Sequence, residues 1–151
     1  MGIIGINYKT KTATANEIFT HLLECNNSFF PPLTDRVNIE EYSRKIFEKS
    51  VTFEAWNEHS LIGLLAAYFN DSSGLLAFIT SVSVLKGFMS KGVASDLLRK
   101  CIEYAIKENF TKINLEVNKE DIKAIGLYRK FGFSIDDANN DILKMKLELI
   151  H

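Results

Sequence analysis

The sequence predicts a mixed α/β fold in which an antiparallel strand meander is followed by βαβ segments. Three observations support this fold class. Apolar residues recur at helical spacing in the first third of the chain, form short strand-like runs from Val51 to Val84, and recur at helical spacing again beyond Gly92. Only short polar stretches separate the strand-like runs, which favours antiparallel neighbours. With 151 residues, of which 46% are hydrophobic, the chain is long enough for one domain with its own core.

The N-terminal third is expected to contain one short strand and two helices. The strand is placed at about Ile3 to Lys9. Thr14 and Glu17 have the spacing of a capping box, which predicts a first helix over about residues 15–25. After two prolines, Asn38 caps a second helix. The inward face of that helix is expected to carry Ile39, Tyr42, Ile46 and Phe47.

The rest of the chain alternates between strands and helices. Strand-like runs extend over Val51 to Trp56, Leu61 to Phe69 and Leu75 to Val84. After the helix that follows Gly92, apolar and polar residues alternate from Ile113 to Val117, so this strand should run parallel to the one before the helix. A last helix is expected over about Ile122 to Phe131, with Gly132 as its stop. The final strands are placed at Phe133 to Ile135 and Ile142 to Ile150.

Composition argues against several classes of function. Eighteen lysines and arginines against nineteen aspartates and glutamates give a net charge of −1, unlike a protein that coats nucleic acid or an anionic membrane. The longest apolar run, Leu61 to Phe69, is about half the length that a membrane-spanning helix needs. The N-terminus has no signal-peptide pattern, so a cytoplasmic location is expected.

The cysteines and histidines predict neither a metal site nor a disulfide scaffold. Cys25 and Cys101 lack the spacing of metal ligands, and His21, His59 and His151 are scattered. Buried, reduced thiols are therefore expected. No Ser–His or Cys–His arrangement can be placed from the sequence, which disfavours hydrolase chemistry.

The segment from Val82 to Ala94 is the strongest candidate for a functional site. It joins a strand to the start of a helix through small residues. Free backbone N–H groups at such a helix start, together with the helix dipole, bind phosphate groups. A strand–turn–helix with glycines can equally be only a tight connection, so the pattern needs support from elsewhere in the chain.

Two motifs together resemble the acetyl-CoA-binding signature of the GNAT (Gcn5-related) N-acetyltransferases. The first consists of Val82, Val84, Phe88, Gly92 and Ala94. Met89 occupies the slot in which the family usually has Gln or Arg. The resemblance implies that acetyl-CoA is bound mainly by backbone amides from Met89 to Ala94.

The second motif comprises Leu115-Glu116-Val117, Asp121, Ala124 and the run from Leu127 to Phe133. Asp121 stands where the family usually has Asn. The resemblance spans about Ser60 to Phe133. It implies a mostly antiparallel sheet of six to seven strands with a splayed, parallel pair of fourth and fifth strands, flanked by about four helices. It also implies a set of cofactor-binding residues: Val82, Ser83, Val84, Met89, Ser90, Lys91, Gly92, Val93, Ala94 and Asp121.

By the same resemblance, the chain is an acetyl-CoA-dependent N-acetyltransferase that transfers the acetyl group directly, without a metal. Glu116 is implied as the base that takes a proton from the amine, and Tyr128 as the acid that protonates the departing thiolate. Without the resemblance, Glu116 would be interpreted as a solvated strand carboxylate and Tyr128 as a core tyrosine.

The acceptor is expected to be a small-molecule amine, with an amino sugar as one candidate. Its site should be built by the N-terminal helices, their loop and the meander, with Phe29, Phe30, Arg36, Trp56, Tyr68 and Thr80 as candidate contacts. Two alternatives stay open: acetylation of peptide N-termini or lysines, and a CoA-binding module without catalysis. Neither a nucleic-acid nor a membrane partner is expected, and the chain could be a monomer or a homodimer.

The whole chain, residues 1–151, is expected to form a single acetyltransferase domain. Residues 1–50 would supply the acceptor side, residues 51–134 the core that binds acetyl-CoA, and residues 135–151 the last strands. Residues 86–133 contain ten lysines and arginines against six aspartates and glutamates. This local excess of four positive charges suits a phosphorylated cofactor.

Overall fold

A seven-stranded sheet forms the centre of the computed structural model, which describes residues 5–71 and 73–150. Its strands are β1 (Ile6–Thr10), β2 (Val51–Asn57), β3 (Ser60–Asp71), β4 (Leu76–Val84), β5 (Lys112–Asn118), β6 (Ser134–Asn139) and β7 (Ile142–Glu148). The α-helices are α1 (Ala15–Glu24), α2 (Ile39–Lys49), α3 (Val93–Lys107) and α4 (Ile122–Lys130). The predicted mixed α/β class and the number of strands are confirmed.

The strands lie in the order β1-β2-β3-β4-β5-β7-β6. Every neighbouring pair is antiparallel except β4 and β5, which are parallel and joined through α3. Pairing between these two strands runs only from Leu76 opposite Lys112 to Ile79 opposite Leu115. Beyond that point the strands separate. The predicted parallel, splayed pair is therefore confirmed.

A β-bulge at Thr80 marks the start of this separation. On β3, Ala66 lies opposite Ser81 while its neighbour Ala67 lies opposite Ile79, so Thr80 is the extra residue on β4. A bulge reverses the side on which the following side chains point. The side chain of Ser83 consequently points towards α1, whereas Val82 and Val84 pack into the core on the α3 side.

Two hydrophobic cores fill the two faces of the sheet. The larger, between the sheet and α3 and α4, is built by residues such as Phe53, Leu65, Leu97 and Ile113. The smaller, beneath α1 and α2, includes Ile18, Leu22, Ile46 and Leu64. Gly63 brings α3 close to β3, because a Cβ atom at this position would lie 2.8 Å from Val93 Cγ1.

The N-terminal helices begin where the sequence predicts. The Thr14 hydroxyl accepts a hydrogen bond from Glu17 N at 3.1 Å, and Glu17 Oε1 accepts one from Thr14 N at 2.9 Å, which completes the capping box. Asn38 Oδ1 caps α2 by accepting a hydrogen bond from Glu41 N at 2.9 Å. Among the described residues, no helix is long and apolar enough to cross a bilayer.

Three sequence-based details differ. Phe47 is 52% exposed and not inward, because Ile39, Ser43 and Ile46 form the buried row of α2 and Phe47 falls beside it. The strand expected at Phe133 to Ile135 extends over Ser134–Asn139, since pairing with β7 continues to the turn. β1 begins at Ile6, and the first residues of the expected N-terminal strand lie outside the described residues.

Candidate active site

A cavity of about 600 Å³ opens where β4 and β5 separate. Four parts of the chain surround it: the loop between α1 and α2, the second half of β4, the start of α3, and the end of β5 with the first two turns of α4. The volume is typical of a small-molecule site. Fifteen of the eighteen residues predicted for the site line this cavity: Phe29, Phe30, Arg36, Thr80, Val82, Ser83, Val84, Met89, Ser90, Gly92, Val93, Ala94, Glu116, Asp121 and Tyr128.

Three predicted site residues lie elsewhere. Trp56 is buried in the smaller core, where its Nε1 donates a 3.0 Å hydrogen bond to Glu54 Oε1. Tyr68 does not reach the cavity and lies beneath Lys45, whose Nζ is 5.4 Å from the ring centroid. Lys91 is exposed in the turn before α3 and is absent from the cavity wall. Lys123, on the first turn of α4, is a lysine that does line the cavity.

The start of α3 presents unpaired backbone donors to the cavity. Gly92 occupies the N-cap with φ +83, a conformation that favours glycine, and no side chain caps the helix. The first helical hydrogen bond is donated by Asp96 N to Gly92 O at 3.0 Å, so the N–H groups of Val93, Ala94 and Ser95 have no helical partner. Such a terminus attracts anions.

One predicted amide donor is already engaged. The backbone N–H of Met89 donates to Lys86 O at 3.3 Å within the short 3₁₀ turn before α3. The available donors therefore lie at the helix start rather than along the whole segment from Met89. The Met89 side chain still forms part of the cavity wall.

The second half of β4 has one paired edge and one open edge. On the paired edge, Ser81, Val82, Ser83 and Val84 lie opposite β3. On the other edge, pairing with β5 ends at Ile79, within the part of the chain that the structure describes. An open strand edge can hydrogen-bond to an extended ligand as a further strand does.

Tyr128 projects from α4 into the cavity wall and is buried. Burial, reinforced by the negative charge of Asp121, raises the pKa of its hydroxyl well above the usual value. This hydroxyl forms no hydrogen bond to any described residue. It is therefore a protonated group with its donor free, as a general acid requires.

Asp121 caps α4 from the same side of the cavity. Its Oδ1 accepts a 3.2 Å hydrogen bond from Ala124 N. Burial raises the pKa of this carboxyl group, against the lowering effects of the hydrogen bond and of Lys123. Asp121 thus performs the capping role expected of the family's Asn at this position.

Glu116 lies on β5 with its side chain exposed, on the face opposite the buried Leu115 and Val117. It borders the cavity and is paired in register with Lys144 on β7. An accessible carboxylate at this position is able to accept a proton from a bound amine, directly or through water.

Aromatic and cationic groups form the wall next to α1 and α2. The Arg36 guanidinium carbon is 5.9 Å from the centroid of the Phe29 ring, and Arg36 makes no ion pair with a described residue. Thr80, at the bulge, is held by the Tyr42 hydroxyl group, which lies 2.8 Å from Thr80 O and 2.7 Å from Thr80 Oγ1. This wall therefore carries the positive charge of Arg36, which no acidic side chain among the described residues neutralises.

Sequence reasoning missed Ser81 on β4, and it assigned Ser83 to the cofactor without its histidine partner. The Ser81 hydroxyl is buried in the cavity wall without a hydrogen-bond partner. The Ser83 hydroxyl contacts His21 Nε2 at 2.9 Å. The alternation of Ser81 and Ser83 with valines could have indicated a polar face on this strand. Nothing in the sequence pairs His21 with a residue 62 positions away.

Residues 15–133 match the model of the acetyltransferase (GNAT) family. Over 100 residues, the chain is 31% identical to N-acetylaspartate synthetase from Xenopus tropicalis, an alignment that covers 66% of this chain and 36% of that protein. The chain thus matches about a third of the length of this relative.

Solved structures share the fold. An acetyltransferase of the GNAT family from Staphylococcus aureus Mu50 superposes with a TM-score of 0.76 at 18% identity, covering 96% of this chain and 99% of that chain. The PaiA N-acetyltransferase from Thermoplasma acidophilum, crystallised in complex with coenzyme A, superposes with a TM-score of 0.73 at 14% identity, covering 95% of this chain and 99% of that chain.

Proposed function

This chain belongs to the GNAT family of acetyltransferases, and on that premise we propose that it transfers the acetyl group of acetyl-CoA to the primary amine of a small, negatively charged molecule. The observation that carries the proposal is the cavity between the splayed strands. One part of its wall carries the unpaired backbone N–H groups at the start of α3. Another part carries the guanidinium of Arg36, which has no acidic partner among the described residues. The N-terminal third supplies the acceptor wall, and the remainder supplies the donor wall.

The cavity suits acetyl-CoA as the acetyl donor. The N–H groups of Val93, Ala94 and Ser95 are available for phosphate oxygens, and Lys123 adds a positive charge nearby. The open edge of β4 from Thr80 to Val84 offers backbone groups to an extended, amide-containing arm. The coenzyme A complex of a structural relative agrees with this assignment.

Two residues on the donor wall have the properties that direct transfer requires. Glu116 accepts a proton from the ammonium form of the acceptor, and the freed lone pair attacks the thioester carbonyl carbon. The nitrogen of the tetrahedral intermediate then releases a second proton to water. When the C–S bond breaks, Tyr128 donates its hydroxyl proton to the thiolate. The placement of Tyr128 supports this role, because its hydroxyl lies in the cavity wall with no hydrogen-bond partner among the described residues and keeps its proton at neutral pH.

The acceptor wall favours an amine that also carries a carboxylate. Arg36 stacks on Phe29 and has no acidic partner among the described residues, so an anionic group of the ligand is its natural counterpart. The relative at 31% identity is named for synthesis of an N-acetylated amino acid, which agrees with this chemistry. An amino sugar without an acidic group would leave Arg36 unpaired.

The experiment that tests the proposal measures thiol release from acetyl-CoA with a panel of amines. The panel contains L-aspartate, β-alanine, glucosamine and a peptide with a free N-terminal alanine. We expect turnover with one or both of the carboxylate-bearing amino acids, and N-acetylated product by mass spectrometry. Preferential turnover of the peptide would replace the small-molecule acceptor by a protein one. Thermal stabilisation by acetyl-CoA without any product would identify a CoA-binding module instead.

A further inference from the structure

The imidazole of His21, on α1, is buried behind the wall of the cavity. Only 1% of its surface is exposed. Its Nδ1 lies 2.9 Å from the carbonyl oxygen of Leu61, and its Nε2 lies 2.9 Å from Ser83 Oγ. His21 therefore links the backbone of β3 to a side chain of β4, and Ser83 itself lines the cavity.

The proton positions in this chain of contacts follow from the chemistry of the groups. A carbonyl oxygen can only accept a hydrogen bond, so Nδ1 must carry the proton that is donated to Leu61 O. Burial lowers the pKa of His21 to about 4, so the ring is neutral at pH 7 and Nε2 has a lone pair. The Ser83 hydroxyl must then donate its single proton to Nε2.

A serine whose proton is committed in this way differs from an ordinary serine. A free hydroxyl group can rotate and either donate or accept, but Ser83 can only accept hydrogen bonds from the cavity side. The Cys25 thiol, 3.7 Å from His21 Nε2, is a weaker contact of the same ring. Burial raises the pKa of Cys25 to about 11, so it remains a neutral thiol beside the imidazole.

The position of Ser83 decides which ligand group it meets. Because of the bulge at Thr80, Ser83 points towards α1, on the side of the sheet where Arg36 and Phe29 form the acceptor wall. The thioester carbonyl oxygen and sulfur are hydrogen-bond acceptors and cannot bind an acceptor-only group. The amide N–H groups of a cofactor arm along the open edge of β4 would pair with backbone groups in the plane of the sheet, whereas the Ser83 side chain projects out of that plane towards α1. The acceptor amine, in contrast, has N–H groups to donate.

We propose that His21 holds Ser83 as an obligate hydrogen-bond acceptor, and that Ser83 Oγ receives an N–H of the acceptor amine and thereby orients its lone pair for attack. The inference rests on the proposed function. Ser83 is then a residue that contacts substrate, and His21 is a positioning residue that acts through Ser83. An amine held by such a hydrogen bond has already lost part of its rotational freedom on binding, so less entropy is lost when it reaches the transition state.

Two variants test the pair in steady-state kinetics with the amine that gives turnover. Ser83→Ala and His21→Leu should each lower kcat/KM for the amine about tenfold, the effect of one hydrogen bond that orients the reacting atom. The KM for acetyl-CoA should not change. The double variant should be no worse than either single variant, because both remove the same interaction.

Matched controls separate this role from general disruption. Cys101→Ala removes a buried thiol from the core on the α3 side, on the other face of the sheet from His21, and should leave both kinetic constants unchanged. Ser81→Ala removes a hydroxyl on the same face of β4 that has no histidine partner, so its effect should add to that of His21→Leu. Additivity between Ser83→Ala and His21→Leu, or a change confined to the KM for acetyl-CoA, would overturn the proposal.

Nitrogen-15 NMR of histidine-labelled protein tests the same arrangement without turnover and without a variant of His21. The spectrum at pH 7 should show Nδ1 protonated and Nε2 unprotonated for His21, and Ser83→Ala should shift the Nε2 resonance. A protonated Nε2 would overturn the inference alone. Absence of turnover by the wild-type protein with every amine would overturn the proposed function, and with it the role of Ser83 towards the amine.

Discussion

Ile79 on β4 and Leu115 on β5 are the last residues at which the two parallel strands pair. Both strands continue beyond this pair, β4 to Val84 and β5 to Asn118, but their facing edges pair with no other strand in the described part of the chain. The resulting gap is the cavity, and the residues just past the pair, Thr80 and Glu116, lie on its wall. If β4 and β5 stayed paired beyond Ile79 and Leu115, no cavity would form between them.

Removing the Tyr128 hydroxyl should slow the chemical step. We expect Tyr128→Phe to lower kcat about a hundredfold, because the thiolate would leave without a positioned proton donor. The KM for acetyl-CoA should change little, since the ring that fills the wall is kept. Tyr104→Phe is the matched control: Tyr104 packs edge-on against Phe53 and Phe69, away from the cavity, and its loss should leave kcat intact. Equal kcat values for wild type and Tyr128→Phe would exclude the acid role.

Neutralising Glu116 should impair proton removal from the amine. Glu116→Gln keeps the shape of the side chain but cannot accept a proton as a carboxylate does, so kcat should fall about a hundredfold at neutral pH. The deficit should shrink at alkaline pH, where more of the amine is already deprotonated. Glu103→Gln, at an exposed position on α3, is the control. A deficit that stays constant with pH would contradict a role as base.

Arg36 should determine the preference for an acidic acceptor. We expect Arg36→Gln to raise the KM for a carboxylate-bearing amine about tenfold or more, through loss of a charge-assisted hydrogen bond, with little change in the KM for acetyl-CoA. Arg44→Gln provides a comparison, because Arg44 is exposed on α2 and pairs with Glu40 at 3.8 Å outside the cavity. If both variants behave alike, Arg36 does not contact the acceptor.

Glu54 should be a major contributor to stability although it lies outside the active site. Its buried carboxylate accepts hydrogen bonds from the backbone N–H groups of Thr12 and Ala13 at 2.9 and 3.0 Å, from the Thr12 and Thr52 hydroxyls, and from Trp56 Nε1. Burial acts to raise the pKa of Glu54, but these donors together outweigh it and hold the pKa below its ordinary value. Glu54→Gln should lower the free energy of unfolding by about 3 kcal/mol.

The pH dependence of this contribution has a definite sign. Because the folded-state pKa of Glu54 is lowered, its stabilisation is fully present above the unfolded-state pKa of about 4.3 and is lost as the pH falls through the folded-state value. Denaturant unfolding between neutral and acidic pH should therefore show a smaller loss of stability in Glu54→Gln than in the wild type. Glu58→Gln, at the exposed β2–β3 turn, should behave as the wild type.

Much of the fold could be predicted from local patterns. Capping signals at Thr14 and Asn38 and the alternation along β5 specify elements whose ends depend on neighbouring residues alone. The crossover through α3 then requires β4 and β5 to be parallel. Phe47 was assigned wrongly because helical periodicity does not say how wide the buried face of α2 is.

The site was less predictable because its composition depends on tertiary placement. The motifs supplied Glu116, Tyr128 and the start of α3, which all line the cavity. Trp56 was an attractive aromatic candidate, but a buried carboxylate two residues away needs its N–H. The bulge at Thr80, which turns Ser83 towards His21, depends on the pairing of β3 with β4 and has no signature in either strand.

The most direct test of the central proposal is transfer of an isotopically labelled acetyl group from acetyl-CoA to L-aspartate or β-alanine by the purified chain. We predict labelled N-acetyl product that forms in proportion to the thiol released and is lost together with it in Tyr128→Phe. Thiol release with no labelled amide would contradict acetyl transfer to these amines, and labelled amide formed equally well by the wild type and by Tyr128→Phe would contradict the role of Tyr128 as the acid.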